Sequence, residues 1–207
     1  MSKMMILYGH SQSSCTWRVR IALAIKGMQY EEVSMTDDAM LNCPAFLKAS
    51  PLGQVPALIH GESCLTQSIA IIEYLEEIQP NPRLLPVDPV LRAKTRALAE
   101  TVVSSIQPYQ GSNDTLVSRV GGAEKFKEWA EFWINRGFAA IEVMLKETHG
   151  KCCVADDVTV ADLCMVPQYN NAVNRYNIDV SRYPTMSKIA DHCLKLEPFS
   201  STRPAVV

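Results

Sequence analysis

The sequence lacks the features that mark proteins of membranes, nucleic acids and metal ions. Its 207 residues carry a formal net charge of -2, without a basic cluster for nucleic acid or an anionic membrane surface. The first apolar run, Met5-Ile6-Leu7-Tyr8, is too short for a signal peptide or a membrane span. Only four histidines are present, none at metal-ligand spacing. We expect a soluble cytoplasmic protein with no metal, no membrane and no nucleic acid among its partners.

The cysteines also lack the pattern of a disulfide framework or a metal cage. Seven are present, an odd number, and no CxxC pair occurs. Cys152 and Cys153 are adjacent, which suits neither a metal cage nor an easy disulfide. For every cysteine except Cys15 we expect a buried free thiol in a reducing compartment.

What is present is an ordinary globular composition, 47% apolar and 20% charged. Strand and helix patterns alternate over the first eighty residues in the order βαβ-α-ββα. A proline-rich segment at 79–89 follows, and the pattern beyond it is helical almost throughout. We predict an α/β domain over residues 1–82 and an all-α domain over 90–207. The helices predicted in the second domain span 90–107, 123–148, 160–174 and 185–196.

The most informative stretch is Ser13-Ser14-Cys15, which lies where the first strand gives way to a long helix. Unpaired backbone N–H groups and the positive end of the helix dipole converge at such a point. A thiolate or another anion is stabilised there. The residues alone leave two interpretations open. Either a serine caps the helix and Cys15 packs, or the helix end holds a thiolate, from Cys15 or from a thiol cofactor.

Two further motifs lie in the same α/β segment. Val55-Pro56 is either a strand-entry proline or a cis peptide whose Val55 backbone groups meet an extended peptide ligand. Gln67-Ser68 precedes a strongly periodic helix, with Ser68 as the candidate N-cap and no Glu at the third helical position. A ligand carboxylate could take the place of that missing acidic partner.

Taken together, these motifs resemble the glutathione transferase superfamily, and within it the zeta class. The resemblance spans nearly the whole chain and implies a thioredoxin-like N-terminal domain followed by an all-helical C-terminal domain. The segments that carry it are 13–23, Gln54-Val55-Pro56, 67–77, Pro82-Arg83-Leu84-Leu85-Pro86, Ile106-Gln107-Pro108, 158–163 and Val166-Pro167-Gln168.

The resemblance implies glutathione as the cofactor and assigns its catalytic end to Ser13, Ser14 and Cys15. Ser13 would steady the glutathione thiolate, and Cys15 would lie near the sulfur. The backbone of Val55 would pair with the cysteinyl part. Gln67 and Ser68 would hold the γ-glutamyl end. The resemblance implies further glutathione contacts from Thr16, Trp17, Arg18, Gln107 and Asn113.

The resemblance also implies a reaction and a substrate class. Arg175 would meet a substrate carboxylate, which a planar guanidinium binds in two-point fashion. The implied activity is glutathione-dependent cis–trans isomerisation of diketo acids of the maleylacetoacetate type, in the catabolism of tyrosine and phenylalanine, by a homodimer. Two alternatives stay open: a transferase that conjugates or dehalogenates small electrophiles such as α-halo acids, and a non-enzymatic interaction module with the same fold.

Overall fold

The structure, a computed structural model that describes residues 4–111 and 114–204, divides into two units. The first unit comprises the chain up to Leu84 together with the segment from Leu196 onward, and the second runs from Leu85 to Lys195. The segment after Leu196 therefore groups with the α/β unit, whereas the predicted helical domain extended to residue 207.

A four-stranded mixed sheet forms the centre of the first unit, with strand order β2-β1-β3-β4. The β1 and β2 strands are parallel, whereas β3 pairs antiparallel with both β1 and β4. This arrangement confirms the predicted thioredoxin-like order. The elements of the unit are β1 (Met5–Gly9), α1 (Ser14–Ile25), β2 (Tyr30–Ser34), α2 (Asp37–Asn42), α3 (Pro44–Ala49), β3 (Ala57–His60), β4 (Ser63–Thr66), α4 (Ser68–Ile78) and α10 (Glu197–Ser200).

Local sequence explains where these elements begin and end. Gly27, at φ +63, follows the last turn of α1, in the left-handed conformation that glycine adopts without strain. Pro44 separates α2 from α3, because the residue before a proline avoids helical backbone angles. Cys43 is accordingly extended, and Pro44 occupies the first turn of α3.

The second unit is built from helices in the part of the chain that the structure describes. The α8 helix is buried along most of its length and begins at a capping box between Thr159 and Asp162. Its helices are α5 (Pro89–Ser105), a 3₁₀ turn (Gln107–Tyr109), α6 (Asp114–Val120), α7 (Ala123–Leu145), α8 (Val160–Asn174) and α9 (Pro184–Cys193).

Several helix bounds differ from the prediction. The α7 and α9 helices end at Leu145 and Cys193, three residues earlier than predicted in each case. The short α6 and α10 helices were not predicted, because one or two turns carry too little periodicity. Across residues 4–111 and 114–204, none of the helices combines the length and the apolar character needed to cross a bilayer.

Candidate functional site

The strand register brings three of the predicted motifs to one edge of the sheet. Tyr8 of β1 lies opposite Ala57 of β3, which in turn lies opposite Thr66 of β4. The chain leaves β1 toward Ser13, enters β3 from Val55 and leaves β4 toward Ser68 at this same edge. The N-termini of α1 and α4 therefore share the edge, and neither helix has an acidic residue in its first turn. Two positive helix ends without acidic side chains of their own favour an anionic ligand.

Ser13 is the N-cap of α1. Its backbone is extended, at φ -79 and ψ 117, and its Oγ accepts a hydrogen bond of 3.1 Å from the backbone N–H of Thr16. A serine hydroxyl that accepts one hydrogen bond still has its own hydrogen to donate. Capping the helix and steadying a thiolate are therefore compatible functions for this hydroxyl. Cys15, in the first turn, is half-buried.

The four other predicted residues of this helix start are buried. Ser14 is 6% exposed, and Thr16, Trp17 and Arg18 are fully buried. The indole N–H of Trp17 donates to Thr202 Oγ1 at 3.0 Å, so this side chain packs beneath the C-terminal segment. The placement does not support direct ligand contacts from the side chains of Thr16, Trp17 and Arg18. The physical reason is that α1 packs against α4 on one side and α10 on another, which leaves few positions exposed.

Val55 lies just before β3, and the peptide bond between Val55 and Pro56 is cis. Among the bonds of residues 4–111 and 114–204, none uses the backbone N–H or C=O of Val55. Buried or half-buried backbone groups of this kind normally find a partner. An extended peptide ligand lying along this edge would supply one, which agrees with the predicted pairing to the cysteinyl part of glutathione.

The cap of α4 differs from the prediction. Gln67, not Ser68, is the N-cap, and Ser68 is the first helical residue. Gln67 has φ 67 and ψ 113, and its exposed side chain makes no capping hydrogen bond. A positive φ at a non-glycine residue costs about 1–3 kcal/mol and concentrates at functional sites. The sequence contains no signal for this conformation, because Gln has no preference for it.

Ser68 is 6% exposed and bonds to a buried cation. Its Oγ accepts a hydrogen bond of 3.2 Å from Nη1 of Arg18, which is fully buried. Within the part of the chain that the structure describes, Nε and Nη2 of Arg18 have no hydrogen-bond partner. A buried guanidinium that is hydrogen-bonded to Ser68 adds positive charge to a site that takes a carboxylate. The residues at this edge therefore suit glutathione, which is an anionic tripeptide.

Two residues predicted to reach the ligand belong to the second unit. Gln107 begins the 3₁₀ turn and is half-buried. Arg175 is exposed and caps the C-terminus of α8, with its guanidinium carbon 5.7 Å from the ring centroid of Tyr176. Asn113, also predicted to bind glutathione, lies outside the described residues.

A buried amide pair joins the segment that carries Gln107 to the helix that carries Arg175. Gln110 and Gln168 exchange two side-chain hydrogen bonds of 2.7 and 2.8 Å. Tyr176 adds a third bond, donated from its hydroxyl to the backbone oxygen of Gln110 at 2.6 Å. Sequence reasoning found the Val-Pro-Gln motif but missed this pair, since the two glutamines lie 58 positions apart.

A cluster of Cys152, Asp162 and Cys193 holds the start of α8. One ligand atom from each lies within 4.8 Å of the others. The Asp162 carboxylate accepts hydrogen bonds from the backbone N–H of Cys153 at 2.7 Å and of Thr159 at 2.9 Å. A hydrogen bond with Cys152, together with burial, raises the pKa of the Cys193 thiol, which therefore stays neutral. The Asp162 carboxylate thus serves the capping box, and the Cys193 thiol lies 3.9 Å from its Oδ1.

The burial of the remaining cysteines differs in part from the prediction. Cys152, Cys153, Cys164 and Cys193 are buried and free, as predicted. The prediction is wrong for Cys64, which is exposed on β4, and only partly right for Cys43, which is half-buried. The β4 strand lies at the edge of the sheet, and Cys64 is exposed there together with its neighbour Ser63.

Comparison with known proteins agrees with this arrangement. The model of the glutathione S-transferase N-terminal domain matches residues 3–77. The maleylacetoacetate isomerase of Mus musculus is 46% identical over 202 residues, which cover 96% of this chain and 92% of that protein.

Solved structures give the same result over the full length. A holo structure of maleyl pyruvate isomerase, a bacterial glutathione S-transferase of the zeta class, has a TM-score of 0.90 at 35% identity and covers 98% of each chain. The maleylacetoacetate isomerase of Anaeromyxobacter dehalogenans, with dicarboxyethyl glutathione and citrate bound in its active site, has a TM-score of 0.87 at 37% identity. That match covers 99% of this chain and 96% of the other.

Proposed function

This chain belongs to the zeta-class glutathione S-transferase family that includes the maleylacetoacetate isomerases, and we propose that it is a glutathione-dependent cis–trans isomerase of maleyl diketo acids. The observation that carries the proposal is the meeting of the α1 and α4 N-termini, with Ser13, Val55 and Ser68, at one edge of the sheet. This arrangement offers positive helix ends, a hydroxyl donor and free backbone groups to one anionic peptide.

Bound glutathione supplies a thiolate whose reversible addition to a conjugated double bond allows rotation about that bond. The protein's part is to keep the thiol ionised. A free thiol has a pKa of about 8.5 and is mostly protonated at neutral pH. The α1 N-terminus and the Ser13 hydroxyl both stabilise the charged form, so they lower the pKa of the bound thiol. Ser14 and Cys15 complete this helix end.

The remaining roles follow the parts of the ligand. The Val55 backbone pairs with the cysteinyl residue, and Gln67 and Ser68 hold the γ-glutamyl end at the α4 N-terminus. In the second unit, Gln107 reaches glutathione or the substrate, and Arg175 binds a substrate carboxylate through its planar guanidinium. A relative with citrate in its active site supports an acidic substrate.

The test is an absorbance assay of maleylacetoacetate and maleylpyruvate with and without glutathione. We expect turnover only when glutathione is present and no change in the concentration of free thiol, because isomerisation returns the cofactor. Turnover that ignores glutathione would contradict the mechanism. Stoichiometric loss of free thiol with α-halo acids, and none with the maleyl compounds, would instead identify a conjugating transferase.

Three finer statements belong to the same proposal. The protein is a cytoplasmic homodimer that acts in the catabolism of aromatic amino acids. The family relationship supports this setting. Sedimentation analysis at micromolar concentration tests the dimer, and a mass of 23.0 kDa would indicate a monomer.

A further inference from the structure

The buried guanidinium of Arg18 is the feature of the first unit that packing alone does not explain. An arginine is always charged in proteins and rarely buried without a counter-ion. Arg18 is fully buried, yet its hydrogen bond to Ser68 Oγ satisfies one N–H group only. Among the described residues, Nε and Nη2 are left without acceptors. An uncompensated buried charge destabilises the ligand-free protein, and a bound anion would compensate that charge.

We propose that Arg18 is a positioning residue for the γ-glutamyl carboxylate of glutathione, and that it acts through Ser68. This inference rests on the proposed function, because it assumes that the α4 N-terminus receives that carboxylate. Nη1 of Arg18 donates to Ser68 Oγ from the buried side. The hydroxyl oxygen is therefore an acceptor toward Arg18, and its own hydrogen points away, toward a carboxylate at the helix N-terminus.

The location of the charge strengthens this assignment. Ser68 is the first residue of α4, an eleven-residue helix with no acidic residue in its first turn and no side-chain cap. The carboxylate therefore meets the backbone N–H groups of the first turn, the Ser68 hydroxyl and the field of the guanidinium behind it. Because the cation is shielded from solvent, salt screens its attraction for the carboxylate only weakly.

The neighbouring Arg20 shows what an arginine of the same helix looks like when it is already paired. It lies two residues further along α1 and forms a salt bridge with Glu32, with Nε 2.9 Å from Oε2. Arg20 therefore has a carboxylate of its own, whereas Arg18 has none among the described residues. Replacing Arg20 is therefore a matched control for replacing Arg18, because each change removes one positive charge from α1.

The experiment measures glutathione binding by calorimetry in the full chain carrying Arg18→Met or Arg20→Met. Each variant is titrated with glutathione, with 4-aminobutyryl-Cys-Gly, which lacks the γ-glutamyl α-carboxylate, and with glutaryl-Cys-Gly, which keeps a carboxylate and lacks the amine. We expect Arg18→Met to weaken glutathione and glutaryl-Cys-Gly about ten-fold or more, the effect of one charge-assisted hydrogen bond. Its effect on 4-aminobutyryl-Cys-Gly should be under two-fold. Arg20→Met should leave all three affinities within two-fold.

Thermal unfolding of the ligand-free protein gives an independent readout. Replacing an uncompensated buried cation with methionine should keep or raise the melting temperature, while glutathione should stabilise the variant less than the parent. A structural role alone predicts the reverse, a lower melting temperature and an equal loss of affinity for all three ligands. The equal loss of affinity for all three ligands would overturn the proposal, whatever the melting temperature.

Two further outcomes separate this inference from the function on which it rests. If the parent protein binds glutathione but isomerises no maleyl substrate, the proposed function fails and the Arg18 titrations still decide the inference. If the parent does not bind glutathione, both fail. Should Arg18→Met not fold, Arg18→Lys serves instead. A loss confined to the two ligands that carry the carboxylate supports the proposal, and a uniform loss contradicts it.

Discussion

Gln110 and Gln168 form a closed amide pair in the second unit, in which each side chain donates one hydrogen bond to the other, at 2.7 and 2.8 Å. Both side chains are buried. The pair fixes the end of the 3₁₀ turn that begins at Gln107 against the α8 helix, whose C-terminus holds Arg175. Since both of these residues are proposed to contact ligands, the amide pair sets the geometry of two binding groups without contacting a ligand itself.

Breaking the amide pair should destabilise the protein most when only one of the two glutamines is replaced. Gln168→Met leaves the Gln110 amide buried without partners, so we expect a loss of about 2 kcal/mol in the free energy of unfolding. The double variant Gln110→Met with Gln168→Met removes both polar groups and should be more stable than the sum of the single losses predicts. Urea denaturation followed by circular dichroism measures all three. Strictly additive losses would show that the two amides are not coupled.

Ser13 should control the ionisation of bound glutathione. Ser13→Ala removes the hydroxyl donor, so the pKa of the bound thiol rises, and the acidic limb of the kcat/KM profile moves to higher pH. One charge-assisted hydrogen bond corresponds to a shift of roughly one to two pH units. The activity loss should thus be larger at pH 6.5 than at pH 9.

The same substitution also removes the α1 cap, which costs about 1 kcal/mol of stability. Ser13→Thr keeps both the cap and the hydroxyl and separates the two effects. We expect this variant to retain the parental pH profile. A profile that stays in place in Ser13→Ala would remove Ser13 from the thiol site.

Arg175 should contribute to binding of the substrate and not to binding of glutathione. Arg175→Ala removes the proposed partner of a substrate carboxylate, so KM for maleyl substrates should rise about ten-fold or more, while KM for glutathione changes little. Arg182→Ala, which removes an exposed arginine of the same unit, is the control and should change neither constant. Steady-state kinetics with each ligand varied in turn would detect the split. Equal changes in both KM values would argue against a carboxylate contact.

The rates at which a thiol reagent modifies the cysteines should follow their exposure to solvent. Ellman's reagent at pH 8 should modify Cys64 first and Cys15 and Cys43 more slowly, and should reach the four buried thiols only after unfolding. Burial raises the pKa of Cys153, so raising the pH to 9.5 should not bring it into reaction. Peptide mass spectrometry identifies the labelled sites.

The labelling also reports on the ligand. S-Methylglutathione should protect Cys15 and leave the Cys64 rate unchanged, because only Cys15 belongs to the proposed site. Equal rates at Cys15 with and without this ligand would place glutathione elsewhere.

The Thr202 hydroxyl oxygen should stabilise the first unit, because it accepts the hydrogen bond from the Trp17 indole. Thr202→Val removes the acceptor of the Trp17 indole N–H and leaves a buried donor unpaired, which costs about 1–3 kcal/mol. Thr202→Ser keeps the hydroxyl and should lose much less. Thermal unfolding monitored by tryptophan fluorescence compares the two. A valine variant as stable as the serine variant would show that the 3.0 Å bond between Trp17 and Thr202 adds nothing.

The sequence was sufficient to predict the order of the elements and the motifs that mark the site, because both depend on local signals. It did not predict the strand register that brings these motifs to one edge of the sheet. Period-two and period-3.6 patterns located the strands and helices, and small polar residues marked the helix start at Ser13. Sequence reasoning did not identify Gln67 as the cap of α4, since its positive φ is imposed by the surrounding fold. It also failed to place the side chains of Trp17 and Arg18, because helix periodicity does not say which faces will be covered.

The partner that covers one of those faces comes from the other end of the chain. Trp17 and Thr202 lie 185 positions apart, yet they belong to one unit. During synthesis the α/β unit therefore lacks the residues that close over its tryptophan until the entire helical unit has been made. At typical rates of translation this interval is on the order of ten seconds. Throughout that interval Trp17 has no acceptor from Thr202, so the first unit cannot form this bond until the helical unit has been made.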